Sequence, residues 1–134
     1  MSFKAVGPPI TSTTLLDLLN FINTETVIVK MDVEGYECKV LHHYLAHDHP
    51  AYYLPYICME WIHIRNNMGS SCPDIQGLVD ALYSNNYTPY WLPANYVKDQ
   101  GVPDKLEMIE RDKIMVQQMN DVLWVHMDAP ALFW

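Results

Sequence analysis

The sequence predicts an α/β fold, a mainly parallel sheet with helices on both faces. Three observations predict it. Val27-Ile28-Val29 and Tyr56 to Trp61 are continuous apolar runs, as in strands buried on both faces. The segments before and between them carry apolar residues at helical spacing. Strand and helix patterns alternate along the chain, the order that builds parallel sheets. The chain has 134 residues, half of them hydrophobic, which suits one domain or part of one.

Each element can be justified in turn. Residues 1–12 read as an irregular entry, punctuated by Gly7-Pro8-Pro9. Ser12 or Thr13 can cap the helix that follows, and Thr14 with Asp17 has capping-box-like spacing. Leu15, Leu18, Leu19 and Ile22 give that helix an apolar face. A first strand then runs from Val27 to Asp32. Gly35 allows a sharp turn, and a helix from Gly35 to Ala46 is expected to bury Tyr36, Val40, Leu41, Tyr44 and Leu45. Pro50 ends it, because proline disfavours a helical conformation in the preceding residue. The second strand is Tyr56 to Trp61. After a polar loop, Pro73 suits the first turn of a helix whose Ile75, Leu78, Val79 and Leu82 share one face. Tyr87 to Leu92 is the third strand, and Val122 to Val125, opened by Asp121, the fourth. Between these two strands, Glu107 and Arg111 are spaced to pair across a helical turn. No crossover helix separates them clearly, so the last strand is expected to run antiparallel.

The most informative stretch joins the first strand to its helix. Lys30-Met31-Asp32-Val33-Glu34-Gly35-Tyr36-Glu37 sets three carboxylates around one glycine. In open α/β sheets, sites form at the carboxyl ends of strands. This octapeptide resembles the K-hydrophobic-D-hydrophobic-E-G-x-E signature of FkbM-type methyltransferases. Ile57-Cys58-Met59-Glu60-Trp61 is similar to that family's next strand, which ends in Glu. The resemblance implies a partial Rossmann-like methyltransferase sheet with a reversed last strand, in the spatial order first, second, fourth, third. It implies S-adenosylmethionine as cofactor and methyl transfer to a hydroxyl, on a small-molecule or glycan-like acceptor. It covers the second half of the family's domain. Nothing upstream of Asp32 supplies the strand and glycine-rich turn that would cradle the cofactor, nor the acid for its ribose hydroxyls. Residues 1–134 are therefore expected to be a partial domain, inactive alone. The alternative is a non-catalytic interaction or structural domain derived from that fold.

Asp32, Glu34 and Glu60 are the candidate catalytic residues. Transfer of a methyl group to a hydroxyl needs positioning and a base near the acceptor proton. Carboxylates at neighbouring strand ends suit that role, and can also hold a divalent cation with oxygen ligands. Asp32 leads, because the family signature falls on it. Glu34 reads equally as a catalytic acid or as a helix-start carboxylate, and Glu37 as the latter, facing the helix dipole. His63 follows Glu60 closely. His43 and His47 stand at i, i+4, a zinc-compatible spacing, but on the polar side of their helix. Tyr52, Tyr53, Tyr56, Tyr87, Tyr90 and Trp91 read either as an acceptor pocket or as core.

The formal net charge of −8 argues against a nucleic-acid or anionic-membrane surface. Cys38, Cys58 and Cys72 have no CxxC spacing and are odd in number, which argues against a disulfide framework. No apolar run reads as a signal peptide or a membrane span. In the family's sheet order the Val27 strand would be left as an apolar edge, so self-association through it is expected.

Overall fold

The computed structural model of this chain describes residues 12–22, 27–31, 36–46, 54–61, 74–92, 106–115 and 121–129. Its elements are α1 (Leu15–Ile22), β1 (Ile28–Met31), α2 (Glu37–Leu45), β2 (Tyr56–Glu60), α3 (Ile75–Ser84), β3 (Tyr87–Leu92), β4 (Glu107–Met108) and β5 (Asp121–His126). The class is α/β, built on an open mixed sheet of five strands in the order β1-β2-β5-β3-β4. The expected order of the first four strands is present, with β1 and β2 as parallel neighbours.

The expectation of a mainly parallel sheet is corrected. Only β1 and β2 pair parallel; β5 lies antiparallel to both β2 and β3, and β4 antiparallel to β3. The cause is where β5 sits. It inserts between β2 and β3, two strands that point the same way, and so turns one parallel contact into two antiparallel ones. The fifth strand, β4, was not expected. Glu107 and Arg111 do not share a helix. Glu107 belongs to β4, and Arg111 reaches across to α3, 3.0 Å from Asp80 and stacked 4.4 Å from the Tyr83 ring centroid.

The helices also depart from expectation. Among the described residues they share one face rather than covering both. Leu19 of α1, Cys38, Leu41 and Tyr44 of α2, and Leu78, Val79 and Leu82 of α3 form one core with Ile57, Met59, Val122 and Trp124 of the sheet. Side chains alternate along a strand, so Tyr56, Cys58, Leu123 and Val125 point the other way. There they meet Tyr90, Leu92, Leu106 and Ala129 in a smaller cluster. The apolar run of β2 correctly signalled two covered faces, whereas that of β1 did not, since Ile28 is 56% exposed. On the second face, however, the cover includes Leu106, from the stretch before β4, rather than a described helix.

Local chemistry explains the ends of the helices. Thr14 caps α1, its Oγ1 accepting from the Asp17 backbone N–H at 3.1 Å. Asp74 caps α3, accepting from the Gly77 N–H at 2.9 Å. Beyond α3, Asn86 takes φ 67°, the left-handed turn that asparagine tolerates, and the chain enters β3. Three hydrogen bonds pin the core. Tyr44 Oη accepts from the Leu54 N–H at 3.1 Å, and Tyr87 Oη donates to the Leu54 carbonyl at 2.6 Å. Trp61 Nε1 donates to the Ile114 carbonyl at 2.9 Å.

One side-chain expectation for α2 is corrected: Tyr36 is exposed. Leu41 and Tyr44 are buried and Val40 and Leu45 pack against the core, as expected, and Cys38 joins them. Glu37 stands in the first turn of the helix, as expected, and is 2% exposed. Cys38 is disulfide-bonded, with its partner outside the described residues, whereas Cys58 is free. Spacing alone carried no sign of that bond, because sequence does not specify which segments pack side by side.

Candidate functional site

The site is built from the register of three strands. Parallel pairing of β1 with β2 sets Lys30 beside Cys58 and Met31 beside Met59. Antiparallel pairing then sets Cys58 opposite Leu123 and Glu60 opposite Asp121, and β3 adds Leu92 on the far side of Asp121. The carboxyl end of β2 therefore coincides with the start of reversed β5. Glu60 and Asp121 are direct cross-strand neighbours at the end of the sheet toward which β1 runs.

Alternation puts Lys30, Cys58, Glu60 and Asp121 on the sheet face away from the described helices. Directly opposite residues have Cβ atoms about 5 Å apart, and like charges in that relation repel. Two half-buried carboxylates so placed offer oxygen donors of the kind a divalent cation uses. Lys30 supplies positive charge one row further along. The Cys58 thiol registers both: burial raises its pKa most, the Asp121 carboxylate raises it further, and Lys30 works against them. Cys58 is accordingly a protonated thiol at neutral pH, filling space rather than attacking substrates.

Of the expected catalytic residues, Glu60 is at the carboxyl end of β2, as anticipated. Asp32 and Glu34 lie outside the described residues, as do Gly35, His47 and His63. Among the described residues the β1 pairing runs from Ile28 to Met31. The aromatic candidates divide. Tyr87 is committed to the core through its bond to Leu54, and Tyr56 is buried on the opposite face. Tyr90 is half-buried and Trp91 exposed, while Tyr52 and Tyr53 are outside the described residues. His43 is exposed on α2. No cluster of three His, Cys, Asp or Glu side chains that could hold a metal occurs among the described residues.

Two residues of this region escaped sequence reasoning. Asp121 had a readable signal. Once the last strand is reversed and placed beside β2, its first residue must fall next to the last residue of β2. Glu37 had none, since a carboxylate in the first turn of a helix ordinarily faces water. It is the one charged side chain fully buried among the described residues, and it holds a partner there. No helix among the described residues is long and apolar enough to cross a membrane. In comparisons with known proteins, no family model, no curated protein and no solved structure matches this chain.

Proposed function

We propose that this chain forms the second half of an FkbM-like, S-adenosylmethionine-dependent methyltransferase domain that methylates a hydroxyl group. One observation supports this reading above the rest. The strand order β1-β2-β5-β3, with β5 reversed, is the order implied by the resemblance of Lys30 to Glu37, although that stretch contains no information about strand order. In this reading Asp32 accepts the hydroxyl proton as the methyl group moves in line from sulfur to oxygen. Glu60 and its cross-strand neighbour Asp121 supply further carboxylates for the acceptor or for a divalent cation. Glu34 is the other acid of the signature. The cofactor supplies the methyl group and a sulfur leaving group; this chain supplies the base and the floor of the acceptor side.

The test uses the protein that carries these residues together with the cofactor-binding half. Asp32→Asn should lower methyl transfer from labelled S-adenosylmethionine by about 10²–10⁴-fold. Calorimetry should give the same cofactor affinity to within about threefold, a difference well under one decade of binding constant. Glu60→Gln should lower turnover in the same direction. Residues 1–134 alone should bind no S-adenosylmethionine at micromolar concentration. Undiminished turnover in Asp32→Asn removes Asp32 from the reaction. Absence of cofactor binding by the longer protein leaves the non-catalytic reading of the fold in its place.

A further inference from the structure

Cys38 and Cys58 occupy opposite sides of the sheet. Cys38, in the first turn of α2, is 2% exposed and lies in the helix-side core with Leu41 and Tyr44. Cys58 packs on the other face, in the cluster of Tyr56 and Leu123. The sheet stands between the two sulfurs, so Cys58 is free although Cys38 is disulfide-bonded. A second copy of the chain is a poor source of the partner, because a sulfur this deeply buried is closed to a thiol from outside. The sequence has three cysteines, which leaves Cys72. The topology brings these two together. α2 leads from β1 to its parallel neighbour β2, so it runs back against both strands. β5 is antiparallel to β2 and to β3, so β2 and β3 point the same way, and α3, which joins them, also runs back. The two helices are therefore parallel and start at one end, the carboxyl end of β1 and β2. They pack against each other, and packed helix axes lie about 8–10 Å apart. Cys38 is the second residue of α2, and Cys72 comes two residues before Asp74, the cap of α3. Two residues of chain reach about 8 Å between Cα atoms. A disulfide joins Cα atoms about 4.4–6.8 Å apart, an approach this arrangement allows.

We propose that a Cys38–Cys72 disulfide staples the starts of α2 and α3 together, and that this protein therefore acquires its fold in an oxidising compartment. Formation takes one proton and one electron from each thiol. Both electrons pass to a disulfide, of a thiol oxidoreductase or of oxidised glutathione, which is reduced to two thiols and takes up the two protons. In a reducing cytosol the same exchange runs the other way. The bond closes the chain from residue 38 to residue 72 and so restricts the unfolded state, which is how such a cross-link stabilises a fold. It acts at the end of the sheet where Glu60 stands. The inference does not depend on any catalytic reading.

Peptide mapping without reduction tests it. Trypsin separates the three cysteines, because Lys30, Lys39, Arg65 and Lys98 leave Cys38 in residues 31–39, Cys58 in 40–65 and Cys72 in 66–98. The protein is taken from its source with its thiols trapped in acid, alkylated, digested and read by mass spectrometry. The expected result is one cross-linked product, 31–39 with 66–98, and alkylation at Cys58 alone. Stability is read on the purified, oxidised 134-residue chain. Dithiothreitol should lower its thermal midpoint by about 10 °C or more. Cys72→Ala should lower the midpoint and remove its response to dithiothreitol, while Cys58→Ala should keep the full response. Alkylation at all three cysteines in the protein from its source overturns the proposal. So does a cross-link that includes residues 40–65, or an oxidised chain whose midpoint is indifferent to dithiothreitol.

Discussion

Cys58 senses the charges of the candidate site without taking part in its chemistry. Its thiol pKa is raised by burial and by Asp121 and lowered by Lys30. Asp121→Asn should therefore shift the pH profile of Cys58 alkylation to lower pH, because a removed carboxylate no longer opposes the thiolate. Lys30→Met should shift it to higher pH. The rate of iodoacetamide labelling between pH 7 and pH 10 reads both directions. Equal profiles in all three proteins would mean that neither charge reaches Cys58. At this scale the sequence was partly legible. Glu60 could be found because it closes an apolar run, and strand ends are where α/β sheets place their chemistry. Asp121 was missed because its importance comes from a neighbour 61 positions earlier in the chain (121 against 60), set beside it only by the register. The burial of Glu37 was not legible because a helix-start carboxylate looks the same in sequence whether its helix turns it outward or inward.

Among the elements, α3 was the most legible and carries the sharpest test. Ile75, Leu78, Val79 and Leu82 repeat at i, i+3, i+4, i+7, and the structure buries the last three. Its N-terminus depends on a local conflict. A methyl group on Gly77 would collide with the carboxylate of Asp74, the side chain that caps this helix. Alanine normally stabilises a helix interior over glycine by about 1 kcal/mol. At Gly77 that gain should be cancelled or reversed, since the cap, worth about 1 kcal/mol, must move. In an Asp74→Ala background the same Gly77→Ala change should become stabilising. Urea unfolding of the two single variants and the double variant measures this coupling. Strict additivity would mean that a methyl group at position 77 leaves the Asp74 cap undisturbed. α1 shows the opposite case. Leu15, Leu18, Leu19 and Ile22 have the right spacing for one buried face, yet Leu18 and Ile22 remain exposed. Periodicity identifies an apolar stripe; it does not say how wide a stripe the rest of the molecule will cover.

For the whole molecule, the class followed from alternating elements, and the strand order with its reversed last strand from the family resemblance, while the mainly antiparallel pairing and the layering did not follow. A parallel sheet is inferred from helices between consecutive strands, an argument that assumes consecutive strands become neighbours. β5 breaks that assumption by entering the middle of the sheet. It pairs with β2 over Tyr56 to Glu60 and with β3 over Tyr87 to Leu92. Remove it and two separate pairs remain, β1 with β2 and β3 with β4, each of only two strands. Two-stranded sheets are marginal at best in water. A chain ending at Asn120 should therefore lack cooperative thermal unfolding and bind a hydrophobic dye, whereas the 134-residue chain should show one transition. A cooperative transition in the shortened chain would mean that the helix layer holds the sheet together without β5.

The position of β5 also imposes an order of events during synthesis. The ribosome delivers residues one after another, and the strand that closes the middle of the sheet is made after the four other described strands. Until residues 121–126 emerge, Ile57 and Met59 lack their cross-strand partners Trp124 and Val122, and the centre of the sheet is an open slot. The growing chain must wait in that state, with an apolar gap shaped to accept any extended strand. Its own β5 arrives in competition with β5 from neighbouring chains on the same message. Slow decoding just before residue 121 would prolong this interval, and close spacing of ribosomes would favour exchange of β5 between chains.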